Sequence, residues 1–425
     1  MVDTKNLSLL REISAKFTEE TLKECFVKIY GRKQIEILSW QIGSAGGKGD
    51  YYLSTINKAN VKALVDGKEA EVNVIIKSLP NNIARRKTFR SAEFFQNEIN
   101  FYLKVVPKFM KFLLEKKHSE FLTIPCCYTA LTDGNNDYLV LEDVSFSGFG
   151  PLTRQNTITY DQCLIILRSM AKFHSISIAY HDQHKESYED LVYSLIETYF
   201  KEERWEWYKR QHTNLVNVAK DALSKEYPDS AAEKAFNAFK LGELFEINVG
   251  FTNYKVGPTC AISQGDCWAA NFLVRAADSG EKQALILDFQ LARSASPILD
   301  ISFFLYSCTS QEFRDAHFDE MLKFYHTELC NAIKLLGSNP NEIYPWNLFT
   351  QEVKKYFLHG LTFALEAIPF SLLDESEAID LDSLTEPKDL SEVMIATNIN
   401  SKVGRQRLAS MIVDAEKRGF LEKQH

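Results

Sequence analysis

The chain has 425 residues, of which 45% are hydrophobic and 25% are charged, and its formal net charge is −8 at pH 7. This length allows two or three domains with cores of their own, and the negative charge argues against general binding to nucleic acid or anionic membrane. No apolar run approaches the roughly 18 residues of a membrane span, and the charged N-terminus lacks the apolar core of a secretory signal. We therefore expect a cytoplasmic, monomeric protein with reduced cysteines and no nucleic-acid or membrane partner.

The first third of the chain has the pattern of an antiparallel sheet and a helix. Segments 35–59 and 69–80 are rich in β-branched and aromatic residues, which predicts strands, and the Asp-Gly pair between them predicts a hairpin turn. Apolar residues at helical spacing follow in 91–113, and 124–131 and 137–144 predict a second pair of strands.

The rest of the chain is mostly helical in pattern, and only 261–291 looks like short strands. The helical patterns cover 160–180, 188–210, 313–337, 347–367 and 400–419. The sequence therefore predicts an α+β fold of two lobes: a small sheet-containing N-lobe, residues 1–142, and a large, mostly helical C-lobe, residues 143–425. The acidic segment 374–389 is expected to be a surface loop.

Two acids and an amide stand at short intervals beside the predicted strands of the C-lobe. Asp266 and Asn271 lie in "ISQGDCWAANFLV", and Asp288 follows an apolar run in "ALILDFQ". Phosphoryl transfer needs one carboxylate to orient or accept the proton of the attacking hydroxyl, and an amide and a carboxylate to hold Mg²⁺ on the phosphates of ATP. This spacing predicts Asp266 as the catalytic residue and Asn271 and Asp288 as the metal ligands.

The N-lobe carries, in the order that such a site requires, the parts that would bind ATP. A glycine-rich turn lets backbone N–H groups approach phosphate, and a lysine that ends an apolar strand is followed by a helical glutamate placed to pair with it. The last predicted strand of the lobe ends in a segment whose backbone can bond the adenine edge. The nucleotide-binding residues predicted in this way are Gly46, Gly47, Gly49, Lys77, Glu98, Glu142 and Val144.

Several further stretches, from about Gly49 to Leu421, carry a resemblance to a known family. They are "GDYYLS", "NEINFYLKVVP", "LVLEDV", "MAKFHSISIAY", "QGDCWAANFLV", "LDFQLARSASPILDISFFL" and "EKRGFL". Together they resemble the insect ecdysteroid kinase-like family of the aminoglycoside and choline kinase superfamily. The resemblance implies a protein-kinase-like fold and transfer of the γ-phosphate of ATP to a hydroxyl of an ecdysteroid or similar hydrophobic alcohol. Its implied broad role is hormone inactivation or detoxification.

The resemblance also implies roles for single residues. Asp300 corresponds to a buried acid that anchors the catalytic loop from the following helix. Gln264 stands where the family usually has histidine, Ala270 where it usually has asparagine, and Tyr51 where it often has asparagine. The family histidine braces the loop, and a glutamine can both donate and accept hydrogen bonds there. Asp266, Asn271, Asp288, Lys77 and Glu98 match the family's catalytic residue, metal ligands and ion pair.

Other interpretations of these residues remain open. Asp266 alone would be typical of a capping carboxylate in a loop, and His174 is expected to be a hydrogen-bonded core histidine. The aromatic segment 193–210 is either ordinary core or partly the wall of an acceptor pocket. The replacement of histidine by Gln264 leaves open a catalytically impaired, nucleotide-binding regulatory protein. A kinase for a choline-type alcohol is a further alternative, and it would require an acidic or aromatic cage.

Overall fold

The computed structural model describes residues 5–44, 52–153, 156–253, 255–275, 282–373 and 380–422. Within these ranges the strands are β1 (Ile35–Ser44), β2 (Thr55–Val65), β3 (Lys68–Ser78), β4 (Cys127–Leu131), β5 (Tyr138–Glu142), β6 (Gly150–Pro151), β7 (Ala261–Ser263), β8 (Phe272–Arg275), β9 (Gln283–Ile286) and β10 (Arg293–Ala295). The helices are α1 (Leu7–Ile13), α2 (Glu19–Tyr30), α3 (Ile83–Phe89), α4 (Ser91–Asn100), α5 (Val106–Lys116), α6 (Tyr160–Gln183), α7 (Lys185–Ser194), α8 (Trp205–Glu226), α9 (Ala231–Asn237), α10 (Glu243–Asn253), α11 (Ile298–Cys308), α12 (Gln311–Leu335), α13 (Pro340–Ile343), α14 (Trp346–Tyr356), α15 (Leu358–Ser371), α16 (Leu390–Val393) and α17 (Lys402–Lys417).

The chain divides into two compact units. The sheet unit consists of Met1–Leu103, Pro125–Ser147 and Asp374–Lys388. The helical unit consists of Lys104–Ile124, Gly148–Leu373 and Asp389–His425. The predicted fold class is confirmed: the protein is α+β, with a small sheet-containing lobe and a larger, mostly helical lobe.

The sheet unit is built on one antiparallel sheet with the strand order β1-β2-β3-β5-β4. The predicted hairpin joins β2 and β3, and both of its turn residues, Asp66 and Gly67, have positive φ angles, as a two-residue turn of this kind requires. In β3, Val72, Val74 and Ile76 alternate into the core with α1 and α2. The same strand carries Lys77 at its end, so this lysine starts from a fixed backbone.

The helical unit surrounds the short strands of the predicted catalytic segment. Helix α6 packs along α12 and against β9, and α11 packs against α15. Strand β7 pairs with β10, and β8 pairs with both β6 and β9, each time antiparallel. The loops that leave β7 and β9 are therefore supported by buried helices on the same unit.

The prediction of one continuous helical pattern over 188–210 is wrong. Helix α7 ends at Ser194 and α8 begins at Trp205. Between them, Oε1 of Glu197 accepts hydrogen bonds from the backbone amides of Tyr199 (2.9 Å) and Phe200 (2.8 Å). A side chain that binds nearby amides in this way competes with the helical hydrogen bonds, which explains the interruption.

Two broader expectations concern cysteines and membranes. All eight cysteines are free thiols, as expected of a chain with reduced cysteines. Across the ranges that the structure describes, no helix combines the length and the apolar composition needed to cross a bilayer.

Candidate active site

Asp266 lies in the loop between β7 and β8, in direct contact with Asn271. The Asn271 amide nitrogen, Nδ2, donates to the Asp266 carboxylate oxygen Oδ2 at 2.8 Å and to its backbone oxygen at 2.9 Å. Asn271 ends a short 3-10 turn, Ala269–Asn271, which bends the chain back toward Asp266 before β8 begins. Because Asn271 uses its nitrogen in both bonds, its side-chain oxygen takes no part in holding Asp266.

Asp288 follows β9 and is held beside the same loop. Its φ angle is 57°, a left-handed conformation that aspartate tolerates better than most residues. The Leu287 amide donates to the backbone oxygen of Asn271 at 2.9 Å, which ties the end of β9 to the catalytic loop. An uncommon backbone conformation at a predicted metal ligand is typical of functional sites.

The base of the loop is fixed by Asp300 on α11. Its carboxylate accepts hydrogen bonds from the backbone amides of Gln264 (2.8 Å) and Gly265 (3.0 Å). His174 Nε2 lies 3.2 Å from the same carboxylate, and His174 Nδ1 lies 2.8 Å from the Tyr325 hydroxyl. Burial alone would raise the pKa of Asp300, but His174 and the two amides hold this pKa below its usual value. His174 is fully buried, in accord with the expected core histidine.

Gln264 braces the loop from the inside. Its side-chain nitrogen donates to the backbone oxygens of Leu287 (2.8 Å) and Asp288 (2.6 Å). Its side-chain oxygen accepts from the amide of Asp266 (2.7 Å) and the thiol of Cys267 (3.1 Å). One glutamine therefore connects the catalytic loop with the segment that carries Asp288.

The backbone around the loop leaves no space for a side chain at Gly265. Its φ angle is +85°, and a Cβ atom there would lie 2.1 Å from the backbone oxygen of Leu291. Any side chain would collide with backbone, so the loop reaches this conformation only with glycine.

The electrostatic surroundings of Asp266 raise the pKa of its carboxyl group. Burial, the charge of Asp288 and, less strongly, the charge of Glu366 raise the pKa of Asp266 to about 7. The hydrogen bond from Asn271 and the charge of Arg293 act in the opposite direction. A carboxylate with a pKa near neutrality is well suited to accept a proton from a hydroxyl.

In the sheet unit, Lys77 and Glu98 form a buried ion pair. The Lys77 ammonium lies 2.8 Å and 2.7 Å from the two carboxylate oxygens of Glu98, and the two side chains are 6% and 0% exposed. Lys77 is the penultimate residue of β3 and Glu98 lies on α4, close to where the sequence predicts them. The ion pair fixes the position of the Lys77 ammonium, and its binding to phosphate remains a prediction.

The predicted adenine-binding segment follows β5. The Glu142 amide donates to the Cys126 backbone oxygen at 2.9 Å, and the Asp143 amide donates to the Asn73 backbone oxygen at 3.3 Å. Adenine contacts from Glu142 and Val144 therefore remain a prediction, and the Glu142 amide is already used within the sheet. The predicted glycine-rich turn, with Gly46, Gly47 and Gly49, lies outside the described residues, as does Tyr51.

The family model of the ecdysteroid kinase-like family matches residues 48–338 of the chain, more than half of its length. The chain belongs to the ecdysteroid kinase-like family. No curated protein sequence matches it.

The chain also shows distant similarity to solved structures, among them the following three. The ethanolamine kinase of Plasmodium vivax has 13% identity and a TM-score of 0.42, covering 98% of this chain and 98% of that one. The choline kinase of Streptococcus pneumoniae has 14% identity and a TM-score of 0.35, covering 83% and 98%. An aminoglycoside phosphotransferase of Streptomyces rimosus, in complex with ADP and streptomycin, has 12% identity and a TM-score of 0.33, covering 72% and 90%.

The donor atoms of this ecdysteroid kinase-like chain fit Mg²⁺ better than a transition metal. Asp288 and Asn271 offer a carboxylate and an amide oxygen, the hard ligands that Mg²⁺ prefers while it keeps water and phosphate in its other positions. In the described part of the chain, no group of three or more His, Cys, Asp or Glu side chains could hold a metal ion. A dedicated zinc-type site is therefore absent from those residues.

A second polar cluster near Asp266 was not predicted from the sequence. The hydroxyls of Tyr199 and Tyr208 both donate to one carboxylate oxygen of Glu366 on α15, each at 2.6 Å. Arg293, on β10, forms a buried ion pair with Glu197 at 2.9 Å. The available signals were the aromatic segment 193–210 and a lone acid in the otherwise apolar α15, neither of which indicates the other.

Proposed function

We propose that the protein is an ATP-dependent phosphotransferase that moves the γ-phosphate to a hydroxyl of an ecdysteroid or similar hydrophobic alcohol. The observation that carries the proposal is the contact of Asp266 with Asn271 in a loop tied to Asp288, Gln264 and Asp300. Membership of the ecdysteroid kinase-like family supports the same chemistry.

In this proposal Asp266 orients the acceptor hydroxyl and accepts its proton as the oxygen attacks phosphorus. Its pKa, raised to about 7, makes it a stronger base than a carboxylate in water. Asn271 and Asp288 would hold Mg²⁺, which, when bound, neutralises the charge of the phosphates. Gln264 braces the backbone of Asp266 and Asp288, and Asn271 donates to Asp266, so little rearrangement would be required of the protein.

The nucleotide would be held by residues of the sheet unit. The Lys77 ammonium, positioned by Glu98, would bind phosphate oxygens, and the backbone at Glu142 and Val144 would bind adenine. Backbone amides at Gly46, Gly47 and Gly49 would approach the phosphates.

Two alternative functions each depend on a particular feature of the structure. A choline-type alcohol kinase would need an acidic or aromatic cage, and the cluster of Glu366 with its two tyrosines is the candidate for one. A catalytically impaired regulatory protein is disfavoured by Gln264, whose four hydrogen bonds supply the bracing expected of the family histidine.

Asp266→Asn is the variant that tests the proposal. Asparagine keeps the size of the side chain and a hydrogen bond to Asn271 but removes the proton acceptor, so phosphorylation should fall by about 10²–10⁴-fold. Affinity for Mg-ATP should be unchanged, because Asp266 is not among its proposed ligands. The measurements are product formation by mass spectrometry and nucleotide affinity by calorimetry.

Asp319→Asn, at an exposed position of α12, is the control for the same chemical change and should behave as wild type. Wild-type turnover in Asp266→Asn would refute the catalytic assignment. Binding of Mg-ATP by the wild type without phosphorylation of any alcohol in a broad panel would favour the regulatory alternative.

A further inference from the structure

Arg293 is a buried cation with no hydrogen bond to any residue that the structure describes. Its side chain is 4% exposed, and its Nε lies 2.9 Å from Oε2 of Glu197. This ion pair does not meet hydrogen-bond geometry, and none of the three guanidinium nitrogens bonds to any residue that the structure describes. Buried polar groups nearly always have partners, and an unsatisfied charged donor is destabilising. A missing acceptor atom, supplied by a ligand, would account for this arrangement.

The guanidinium belongs to the surroundings of the catalytic loop. Arg293 pairs with Ser263 across β10 and β7, and Asp266 follows Ser263 by three residues. The charge of Arg293 also opposes the rise in the pKa of Asp266. Arg293 therefore lies on the strand pair that leads into the Asp266 loop, close enough for its charge to act on the Asp266 carboxylate.

Aromatic rings supply the apolar surroundings of Arg293. The guanidinium lies 5.8 Å from the centre of the Phe363 ring. Phe363 in turn contacts Tyr199 (5.4 Å between ring centres) and Phe200 (5.1 Å). Sites for hydrophobic small molecules typically combine a largely apolar or aromatic lining with a few polar groups.

A second buried side chain in this region also lacks partners. Gln211 follows Tyr208 by three residues, so both lie on the same side of α8. It is fully buried, and within the described ranges neither its amide nitrogen nor its oxygen is hydrogen-bonded. A ligand that reached both Arg293 and Gln211 would need more than one polar atom.

We infer that Arg293 binds an oxygen atom of the acceptor and selects a neutral, oxygen-rich, hydrophobic alcohol over an ammonium alcohol. This inference rests on the proposed phosphotransferase function. A guanidinium has five N–H donors and no acceptor, so it binds hydroxyl or carbonyl oxygens. A quaternary ammonium group offers no atom that can accept a hydrogen bond, so it would leave these donors unsatisfied.

Glu366 is poorly placed to bind an ammonium group. Its carboxylate already accepts hydrogen bonds from Tyr199 and Tyr208. Burial raises the pKa of Glu366 in spite of these two bonds, so its negative charge is less favoured than in water. The tyrosines turn their hydroxyls toward Glu366, whereas a cation cage needs their ring faces.

The decisive variant is Arg293→Lys. Lysine keeps a positive charge opposite Glu197 but lacks the planar set of donors. The double variant Arg293→Gln/Glu197→Gln removes both buried charges together, so it tests the same donor without leaving Glu197 unpaired. Arg314→Lys is the matched control, because Arg314 is equally buried but donates to Thr309 and lies 3.9 Å from Asp414.

Two measurements should be made on each protein in the presence of magnesium. Calorimetry with ADP present gives the affinity for an ecdysteroid, for other neutral alcohols and for choline, and mass spectrometry with ATP gives phosphate transfer. We expect the wild type to bind the ecdysteroid and not choline. In both Arg293 variants the acceptor affinity should fall, and the KM for the acceptor should rise, by about 10–100-fold. Mg-ATP affinity should be unchanged, and Arg314→Lys should match the wild type.

Different results would refute the role of Arg293 and the proposed phosphotransferase function. Wild-type acceptor affinity in both Arg293 variants, tighter binding of choline than of the ecdysteroid, or no binding of any neutral alcohol would overturn the inference. Acceptor binding that depends on Arg293, without phosphate transfer to any alcohol, would support the inference and refute the proposed function.

Discussion

At the scale of single residues, the surroundings of Asp288, and not its backbone conformation, distinguish it from another aspartate of the chain. Asp288 and Asp229 both have left-handed φ angles, 57° and 59°. Asp229 lies exposed between α8 and α9, whereas Asp288 lies next to the catalytic loop and its backbone oxygen accepts a bond from Gln264. The shared conformation therefore does not distinguish the two residues, but their surroundings do.

Asp288→Asn should abolish the magnesium-dependent part of the stabilisation by ATP. Asparagine also tolerates the left-handed conformation, so the main loss is the charge that would hold Mg²⁺. A ligand stabilises the native state according to its affinity, so ATP should raise the Tm of the wild type more with magnesium than with EDTA. The measurement is a thermal unfolding series, with Asp229→Asn as the control of equal backbone geometry. A magnesium-dependent shift that survives in Asp288→Asn would contradict the metal assignment.

At the scale of elements, the close approach of α11 and α15 positions the acid that anchors the loop. A Cβ atom on Gly360, in α15, would lie 2.1 Å from the backbone carbon of Ser302 in α11. Helix α11 also carries Asp300, whose carboxylate accepts the Gln264 and Gly265 amides. The packing of two helices is thus connected to the geometry of the loop.

Gly360→Ala should destabilise the protein by about 1–3 kcal/mol, because the added methyl group meets backbone that cannot move aside without shifting a helix. Gly250→Ala is the matched control: it lies in α10, where a Cβ atom has no neighbour within 4 Å. In that open position alanine should be neutral or stabilising by up to about 1 kcal/mol. Urea unfolding of both variants checks the difference, and equal stabilities would show that α11 and α15 can separate freely.

At the scale of the whole molecule, the two compact units contain different sets of the predicted site residues. The sheet unit contains the Lys77–Glu98 pair, and the helical unit contains Asp266, Asn271 and Asp288. We therefore expect variants in the sheet unit to change nucleotide binding and Asp266→Asn to change transfer alone.

Lys77→Met/Glu98→Gln should weaken Mg-ATP binding by about 10–100-fold, through loss of one charge-assisted contact. The single variant Lys77→Met should also destabilise the fold by about 3–5 kcal/mol, because it leaves the fully buried Glu98 without its cation. Calorimetry and thermal unfolding measure the two effects. Lys62→Met, at an exposed position of β2, serves as the control, and unchanged affinity in the double variant would remove Lys77 from the nucleotide site.

The sequence predicts those parts of the molecule that depend on local patterns. The sequence alone predicts the alternation in β3, the Asp-Gly turn and the grouping of Asp266, Asn271 and Asp288. Each of these depends on residues that are close in the chain. The cluster around Glu366 is not readable, since Tyr199 and Glu366 are 167 residues apart and meet only through helix packing. The interruption before α8 depends on one glutamate that binds two amides, which helical periodicity does not reveal.

The dense bracing of the catalytic loop has an entropic consequence. Asp300 fixes the amides of Gln264 and Gly265, and the Gln264 side chain fixes the amide of Asp266. Ordering each residue costs about 1–2 kcal/mol of conformational entropy, and here that cost is met when the chain folds. In the proposed reaction, the nucleotide and the acceptor would meet a carboxylate that is already aligned, so more of their binding free energy would be retained as affinity. The free energy of folding of the helical unit thereby covers an ordering cost that substrate binding would otherwise have to offset.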